Sequence, residues 1–395
     1  MIDSGPDGVE ITVLMPCLNE AETLAACIHK AHLGCQKIGL RYEILVADNG
    51  SSDGSPEIAA TAGARVVHVP VRGYGAALRT GIEAARGKFI IMGDSDESYD
   101  FSELRPFIEK WQVGYDLVMG TRLRGEIKPG AMPFLHRWLG NPLLTGMGNL
   151  LFHCGLSDYH CGLRGFDRQA MLTLDLRTDG MEFASEMVIK AALAKLKMTE
   201  TPITLWPDGR SRPPHLRTWR DGWRHLRFML LYSPRWLFLY PGIVLMVLGL
   251  GVGLWLLPGP RMIGNVTFDV HTLLFAGLAV LMGFQSITLA VFTKIFAVIE
   301  GLLPDDPQLT KMFRYLTLEV GLIVGAVLIL IGAGGSVYGF LTWSMFSFGP
   351  LPDLTYTLRF VILAVVSLTL GGQVILSSFF LSVLGLSRRG LNIQA

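Results

Sequence analysis

The sequence predicts an α/β domain with a Rossmann-like, mostly parallel sheet, followed by an all-α domain of four transmembrane helices. Two observations carry this prediction. Short apolar runs alternate with helical segments in the first half, as in doubly wound sheets. The 395 residues are 50% hydrophobic and 17% charged, and residues 1–235 hold 27 of the 34 Lys and Arg and 27 of the 33 Asp and Glu. A soluble-type domain therefore precedes a membrane domain.

The predicted boundaries are 1–209 for the α/β domain, 210–235 for a basic interfacial linker and 236–395 for the membrane domain. The predicted strands are Glu10–Met15 (ended by Pro16), Tyr42–Ala47, Ala64–Val69 and Lys88–Met92. Helices are predicted to begin near Asn19, at Pro56 and at Arg72-Gly-Tyr-Gly75. Because the carboxyl ends of parallel strands open on one crevice, the polar residues that follow these strands are expected to meet there.

Two aspartates follow the fourth predicted strand. Asp94 and Asp96 are separated by one residue, and such carboxylates repel each other unless a cation lies between them. Hard divalent cations prefer these oxygens, so the pair predicts a Mg²⁺ or Mn²⁺ site that bridges to diphosphate oxygens. The alternative is an acidic turn that begins the next helix at Asp100.

The other strand ends carry polar groups aimed at the same crevice. Asp48 at the end of the second strand suits ribose hydroxyls or a base N–H, although Asp48-Asn-Gly is also a common turn. Arg72-Gly-Tyr-Gly75 is either a ligand loop or a simple helix start. The sequence contains no P-loop and no GxGxxG, which excludes the dinucleotide fingerprint.

As an ordered set, several motifs resemble the GT-A glycosyltransferases of family 2, especially polyprenyl-phosphate sugar synthases of the dolichyl-phosphate mannose or glucose synthase type. The resemblance covers roughly residues 10–235. The motifs are Pro16-x-x-Asn19-Glu20, Asp48-Asn-Gly-Ser-Ser-Asp53-Gly, Arg72-Gly-x-Gly-x-Ala, Asp94-x-Asp96, Gly120-Thr-Arg122, Asp158-x-x-Cys161-Gly-x-Arg164-Gly-Phe166 and Glu182-Phe-x-x-Glu186.

The resemblance implies an inverting transfer of a hexose from a nucleotide sugar, UDP-glucose or GDP-mannose, to undecaprenyl or dolichyl phosphate. The residues implied to bind the donor nucleotide are Pro16, Asn19, Glu20, Asp48, Arg72, Gly73 and Asp94. The metal ligands are implied to be Asp94 and Asp96. Two positions depart from the family pattern. Ser98 stands where relatives often have a Gln metal ligand, and Arg210-Ser-Arg212-Pro-Pro-His-Leu-Arg217 replaces a Gly-x-Ser-Lys element.

Arginines are the expected partners of the acceptor phosphate, because a guanidinium binds phosphate through paired N–H donors. The candidates are Arg122, Arg137, Arg210, Arg212 and Arg217. The predicted catalytic set is Asp96, Asp158, Arg122 and Arg137. Asp158 either faces the sugar or orders a loop. The acceptor phosphate is already ionised at neutral pH, so no strong general base is required.

Two segments are predicted to lie at the membrane surface: Pro133–Phe152, broken at Asn141-Pro142, and Trp219–Trp236. Seven arginines and one acid between Arg210 and Arg235 favour anionic lipid over nucleic acid, because an apolar span follows directly. Four spans are predicted, at about 236–257, 272–293, 320–341 and 360–384. The Lys and Arg distribution places the catalytic domain and both termini in the cytoplasm, as an inner-membrane protein.

Two other functions are consistent with parts of the sequence. A processive polysaccharide synthase carries Gln-x-x-Arg-Trp before the membrane exit, whereas this chain has Tyr232-Ser-Pro-Arg235-Trp236, which lacks the Gln. A non-catalytic transporter with a degenerate domain is disfavoured by the intact Asp94 and Asp96. The sequence leaves a homo-oligomer open.

Overall fold

The structure is a computed structural model that describes residues 8–211, 218–304 and 317–391, with the side chains of the last helix described as far as residue 385. The chain forms two compact units, residues 1–229 and residues 230–395. The first unit contains a seven-stranded sheet. The second contains helices that are long and apolar enough to cross a membrane.

The sheet of the first unit has the strand order β3-β2-β1-β4-β6-β5-β7. Strands β1 to β4 are parallel, β5 and β7 are parallel, and β6 runs antiparallel to both β4 and β5. The mostly parallel α/β fold expected from the sequence is confirmed. The strands are β1 Ile11–Cys17, β2 Tyr42–Asp48, β3 Arg65–His68, β4 Phe89–Met92, β5 Leu117–Ile127, β6 Arg164–Asp167 and β7 Met198–Leu205.

Helices cover the sheet and leave its central strands inaccessible to water. All four residues of β4 are fully buried, which explains why this strand is a continuous apolar run and not an alternating one. The helices of this unit are α1 Leu24–Ile38, α2 Ser55–Thr61, α3 Tyr74–Ala84, α4 Arg105–Gln112, α5 Asn141–Phe152, α6 Arg168–Thr173, α7 Phe183–Leu193 and α8 Thr218–Leu231.

Three local expectations were wrong, and two concern prolines. Pro16 does not end β1, because it pairs with Ala47 of β2 while the pairing with β4 stops at Leu14. At Pro16, β1 therefore has a partner on one side only, where a missing N–H is tolerated. The helix after Asp94 and Asp96 begins at Arg105 and not at Asp100.

The break predicted at Asn141-Pro142 is absent, because Pro142 does not interrupt its helix. A π turn at His136–Gly140 leads directly into α5, where Pro142 lies in the first turn. The π turn changes the local hydrogen-bond register, so the helix continues around a residue that has no N–H. This segment exposes large apolar side chains, as expected of a membrane-surface segment. They are Phe134, Leu135, Trp138, Leu139, Leu143 and Leu150.

Within the described residues the second unit has four candidate spans, the number predicted. They are Arg235–Leu256, Val270–Ile299, Leu318–Met345 and Leu354–Gly385. The helices are α9 Tyr240–Leu256, α10 Val270–Ile299, α11 Leu318–Met345 and α12 Leu354–Leu391, and a short hairpin of β8 Arg261–Ile263 and β9 Val266–Phe268 lies between α9 and α10. Helix α10 packs against α9 and α12, and α12 packs against α11.

Glycines allow close contact between these helices. A Cβ atom on Gly283 of α10 would lie 2.7 Å from the carbonyl oxygen of Gly242 in α9. A Cβ on Gly371 of α12 would lie 2.7 Å from the carbonyl oxygen of Gly325 in α11. Because lipid tails are as apolar as leucine, such close backbone packing is a main source of helix association in membranes.

The basic helix α8 is attached to the first unit through a buried histidine. His225 Nδ1 lies 2.7 Å from Ser185 Oγ of α7, and the His225 ring packs edge-on against His160 with the ring centroids 4.6 Å apart. On the same helix Trp219 and Trp223 are exposed. Helix α8 thus has one face held by polar contacts and another that presents aromatic side chains.

We expect acid to weaken the docking of α8. Burial lowers the pKa of His225 to about 4, an effect that Arg164 reinforces and that Asp221 and Glu182 oppose. An undocked His225 takes up a proton below about pH 6.5. The full docking free energy of α8 is therefore available above that pH. About 3 kcal/mol of it is lost as the pH falls to 4. Hydrogen exchange of the α8 amides, corrected for intrinsic rates, measures this loss.

A His225→Gln variant is the control, because it has no group that titrates at this position. Its α8 protection should vary much less between pH 7.5 and pH 4.5 than that of the wild type. Equal pH dependence in the two proteins would contradict the assignment.

Candidate active site

Side-chain hydrogen bonds hold the loops after β1 and β2 together. Asn19 N–H donates to Ser51 Oγ (2.8 Å), and Ser52 N–H donates to Asn19 Oδ1 (2.7 Å). Asp53 accepts from Ser55 and from the Ala21 N–H (3.0 Å), which adds a second link. Asn19 has a φ of 59°, a left-handed conformation that asparagine tolerates. Asn19 therefore joins the loops after β1 and β2.

Asn49 links the loop after β2 to the loop after β3 in the same way. Asn49 lies inside the Asp48-Asn-Gly motif, but no role was predicted for it. Its Nδ2 donates to the Val71 carbonyl (2.8 Å), and its Oδ1 accepts from the Gly73 N–H (2.7 Å). Gly73 has a φ of 145°, and a Cβ there would lie 2.0 Å from the Asp179 carbonyl oxygen. Only glycine fits this position, beside which Arg72 is exposed.

Asp48 lies at the end of β2 with its carboxylate already oriented. The side chain is buried and accepts from the N–H groups of Gly50 (3.3 Å) and Ser51 (3.1 Å). His68 Nδ1 lies 3.4 Å from Asp48 Oδ2, the oxygen that also accepts from Gly50. This turn holds the carboxylate at the edge of the sheet where β1, β2 and β4 also end.

The residue between the two aspartates is anchored to its neighbours. Ser95 is buried, its Oγ donates to the Pro16 carbonyl (2.9 Å), and its own carbonyl accepts from Thr23 Oγ1 (2.7 Å). These bonds fix the backbone from which Asp94 and Asp96 project. Pro16 therefore contributes a carbonyl to the support of the acidic pair.

Asp94 is held in a strongly unfavourable environment for a lone charge. Burial and the nearby charge of Asp96 raise the pKa of Asp94 to about 6, against the hydrogen bond from Tyr74 Oη to Asp94 Oδ1 (2.9 Å). Arg164, a fully buried arginine, opposes the shift through its positive charge. Tyr74 and Arg164 were not assigned from the sequence, although both lie inside quoted motifs.

Asp96 has two partners that sequence reasoning did not assign to it. Ser98 donates through its backbone N–H (3.0 Å) and its hydroxyl to Asp96 Oδ1. Arg210 forms an ion pair with Asp96 Oδ2, and its Nη1 lies 3.0 Å from Glu20 Oε1. The structure therefore places Arg210, a candidate for the acceptor phosphate, beside a predicted metal ligand.

The segment that carries Arg210 is tied across the acidic edge at three points. The Gly209 N–H donates to the Asp96 carbonyl (2.9 Å), Arg210 reaches Glu20, and the Ser211 N–H and hydroxyl both donate to the Glu22 carboxylate (2.8 and 2.6 Å). Arg212 and Arg217 lie outside the described residues.

The residues at this edge fit a divalent cation that arrives with a diphosphate. Among the described residues no three His, Cys, Asp or Glu side chains form a ready metal cage. Mg²⁺ is usually held by one or two carboxylates, with phosphate oxygens and water completing its coordination. Asp94 and Asp96 supply such a pair, and the guanidinium of Arg210 already places a cation against Asp96.

The structure pairs Asp158 with Arg122. Arg122 donates from Nε (2.7 Å), Nη2 (2.8 Å) and its backbone N–H (3.0 Å) to the two carboxylate oxygens. Asp158 is fully buried, and this ion pair raises the pKa of Arg122 although burial alone would lower it. Asp158 was predicted either to face the sugar or to order a loop. Its contacts with Arg122 match the second role.

Arg137 has a different environment from Arg122. It lies in the π turn before α5, is exposed, and its guanidinium is 5.5 Å from the ring centroid of Trp138. Arg137 and Trp138 thus stand together on the segment that exposes large apolar side chains.

We expect the Asp158→Asn variant to lose about 3–5 kcal/mol of unfolding free energy, because Arg122 is left buried without a compensating charge. Denaturant unfolding of the protein in detergent, followed by tryptophan fluorescence, measures this loss. Asp175→Asn is the matched control, since Asp175 pairs with Arg177 at an exposed site and such pairs contribute about 0–1 kcal/mol. Equal losses in the two variants would contradict the assignment.

Comparison with known proteins agrees with this geometry. Residues 12–174 match the model of the glycosyl transferase family 2, and residues 291–385 match the family 2 C-terminal transmembrane region. The low-salt glycan biosynthesis hexosyltransferase Agl6 of Haloferax volcanii is 39% identical over 378 residues, which cover 95% of this chain and 89% of that protein. A dolichyl-phosphate hexose transferase of the same organism is 29% identical over 49% of this chain and 82% of its own length.

A solved structure also aligns with the chain. Glucosyl-3-phosphoglycerate synthase from Mycobacterium tuberculosis, in complex with Mn²⁺, UDP and glucosyl-3-phosphoglycerate, gives a TM-score of 0.43 and 22% identity over 57% of this chain and 78% of that one. This likeness is too distant to support a statement about ligands. The family models and the haloarchaeal relative are sufficient: the chain belongs to glycosyltransferase family 2 and is a membrane glycosyltransferase with a GT-A catalytic domain and a C-terminal transmembrane region.

Proposed function

We propose that this enzyme transfers a hexose from a nucleotide sugar to a polyprenyl phosphate, with inversion, at the cytoplasmic leaflet of the inner membrane. The observation that carries the proposal is the position of Arg210. It pairs with Asp96 of the acidic edge and precedes by eight residues the basic, tryptophan-bearing helix α8, which begins at Thr218. A phosphate acceptor with a lipid tail needs this combination, because its head must be held near the bilayer surface.

The loops at the ends of β1, β2 and β3 are proposed to bind the donor, UDP-glucose or GDP-mannose. Asp48 accepts hydrogen bonds from ribose or base, and Arg72 pairs with the diphosphate. Gly73 lets the backbone approach closely. Pro16, Asn19 and Glu20 hold the loop that frames the nucleotide, with Asp94 beneath the diphosphate. The similarity to a dolichyl-phosphate hexose transferase supports a lipid-phosphate acceptor.

Asp94 and Asp96 are proposed to hold Mg²⁺ or Mn²⁺, which neutralises charge on the departing diphosphate. In the structure Arg210 occupies Asp96 Oδ2, so a metal held by Asp96 would compete with this guanidinium for the carboxylate. The freed guanidinium is proposed to bind the acceptor phosphate. Tyr74 and Ser98 keep the two carboxylates oriented during this exchange.

The acceptor phosphate is proposed to contact Arg137 and Arg210 directly, with Arg212 and Arg217 as further candidates. Arg137 is exposed beside Trp138 on a segment that exposes large apolar side chains, which supports contact with a lipid headgroup. Arg122 forms a buried ion pair with Asp158. We therefore propose that these two residues position the acceptor side of the site. The phosphate oxygen is ionised and attacks the anomeric carbon without a general base.

The metal assignment predicts that Asp96→Asn lowers kcat at least about a hundredfold, the effect of losing one charge-stabilising element. EDTA should abolish wild-type transfer, and added Mn²⁺ or Mg²⁺ should restore it. The control is Glu103→Gln, which changes an exposed carboxylate paired with Lys37. Full activity of the Asp96→Asn variant in EDTA would refute the metal site.

The acceptor assignment predicts that Arg137→Lys raises the KM for polyprenyl phosphate and leaves the donor KM unchanged, because lysine keeps the charge but loses the paired donors. A donor panel with membranes, reading radioactivity in the lipid extract, measures transfer. Arg124→Lys is the matched control, an exposed arginine on β5.

Two results would refute the proposed function. One is transfer to polyprenol that equals transfer to polyprenyl phosphate. The other is a polymeric product instead of a lipid-linked monosaccharide, which would indicate a processive synthase.

A further inference from the structure

A pair of glutamines lies inside the membrane unit. Gln285 is on α10, fifteen residues after Val270 and fourteen before Ile299, and is therefore near the middle of its span. Gln373 of α12 donates from Nε2 to Gln285 Oε1 at 3.4 Å. This hydrogen bond joins the side chains of two different spans.

This pair leaves polar groups without partners. Gln373 Oε1 is buried and has no hydrogen-bond partner among the described residues. Gln285 is exposed on the surface of the unit, and its Nε2 makes no bond within the same described residues. An amide group that faces hydrocarbon without partners costs several kcal/mol. A polar side chain at mid-membrane is therefore expected to meet a polar partner.

The surface around Gln285 has the spacing of a helix-pairing seam. Leu278 and Met282 are each 52% exposed and Leu289 is 38% exposed, so exposed positions recur at intervals of four, three and four residues through Gln285. Phe275 and Phe296 extend the row in both directions. A single amide in such an apolar seam selects the partner and the register. We call this row, from Phe275 to Phe296 on α10, the Gln285 face.

The surface of α12 beside Gln373 is open at Gly372. A Cβ added to Gly372, the neighbour of Gln373, would meet no atom within 4 Å. By contrast, Gly371 on the same helix is in close contact with α11. At Gly372, the surface of α12 next to the pair is therefore not covered by another described helix.

We propose that a second copy of this chain packs against the Gln285 face, with the two Gln285 amides meeting across a two-fold axis. An amide is self-complementary, because it has both N–H donors and a carbonyl acceptor. Two-fold pairing brings each donor to the partner's acceptor, whereas lipid acyl chains provide neither. The second copy also covers the exposed leucine and methionine of the seam.

Cysteine cross-linking in liposomes tests the interface. Met282→Cys places a thiol on the seam next to Gln285, and the five native cysteines are buried in the first unit. Under mild oxidation, at several protein-to-lipid ratios, we expect a disulfide-linked dimer on denaturing gels. Leu330→Cys is the matched control, a 71% exposed position on α11, and should remain monomeric.

The role of the amide is tested by adding Gln285→Leu to the Met282→Cys protein. Polar contacts between membrane helices are worth about 0.6–2 kcal/mol, so the dimer yield should fall at least about threefold. Gln373→Leu, which removes the inner amide, should lower the yield as well. Gel filtration in detergent shows that each variant is folded.

Three results would overturn the proposal. They are a Met282→Cys protein that stays monomeric, equal cross-linking with and without Gln285→Leu, and equal cross-linking of Leu330→Cys. A lipid or an unrelated protein on this face gives the first result.

Discussion

Asp94 and Asp96 repel each other, and the catalytic unit must supply positive charge to offset this repulsion. Much of its structure serves that need. Two carboxylates at the end of a buried strand are costly, and the raised pKa of Asp94 is the direct sign of this cost. The protein compensates with the buried charge of Arg164 behind Asp94 and the guanidinium of Arg210 beside Asp96. In the function we propose, a metal that binds with a diphosphate would satisfy the same requirement and take the place of Arg210 beside Asp96.

Most polar residues in the recognisable motifs are used to build the crevice. Asn19 and Asp53 join the first two loops, and Asn49 joins the second to the third. Because each bond spans two loops, the carboxyl ends of β1, β2 and β3 are held at fixed separations. Such preorganisation is what a transferase needs to place a nucleotide sugar against a metal. Several motif residues, such as Asn19 and Asn49, therefore hold loops in place.

The two units of the chain use different means of cohesion. The catalytic unit buries an apolar sheet and pairs its buried charges, as Arg122 and Asp158 do. The membrane unit gains little from burying apolar groups, since its surroundings are equally apolar. Its helices meet at glycines such as Gly242 and Gly283, and Gln373 forms a polar contact with Gln285 between two spans.

The first four strands, the spans and the acidic pair were predictable from the sequence because they follow from local patterns, whereas β5, β6 and β7 were not predicted. Buried strands are short apolar runs, spans are long ones, and carboxylates after a strand mark the crevice. Local rules failed where a neighbouring element decided the outcome. Pro16 remains in its strand because β4 no longer pairs at that point, and Pro142 is accommodated by a π turn.

The partners of the charged side chains were decided only by the tertiary structure. Arg210 reaches Glu20 across 190 positions of the chain, and Arg122 meets Asp158 across 36. Gln285 and Gln373 are 88 residues apart and adjoin because α10 and α12 pack together. Composition and periodicity report which residues are buried, but an ion pair depends on where the fold brings two distant segments. The sequence alone therefore determined the first four strands, the spans and the acidic pair, and the fold determined which groups neutralise that pair.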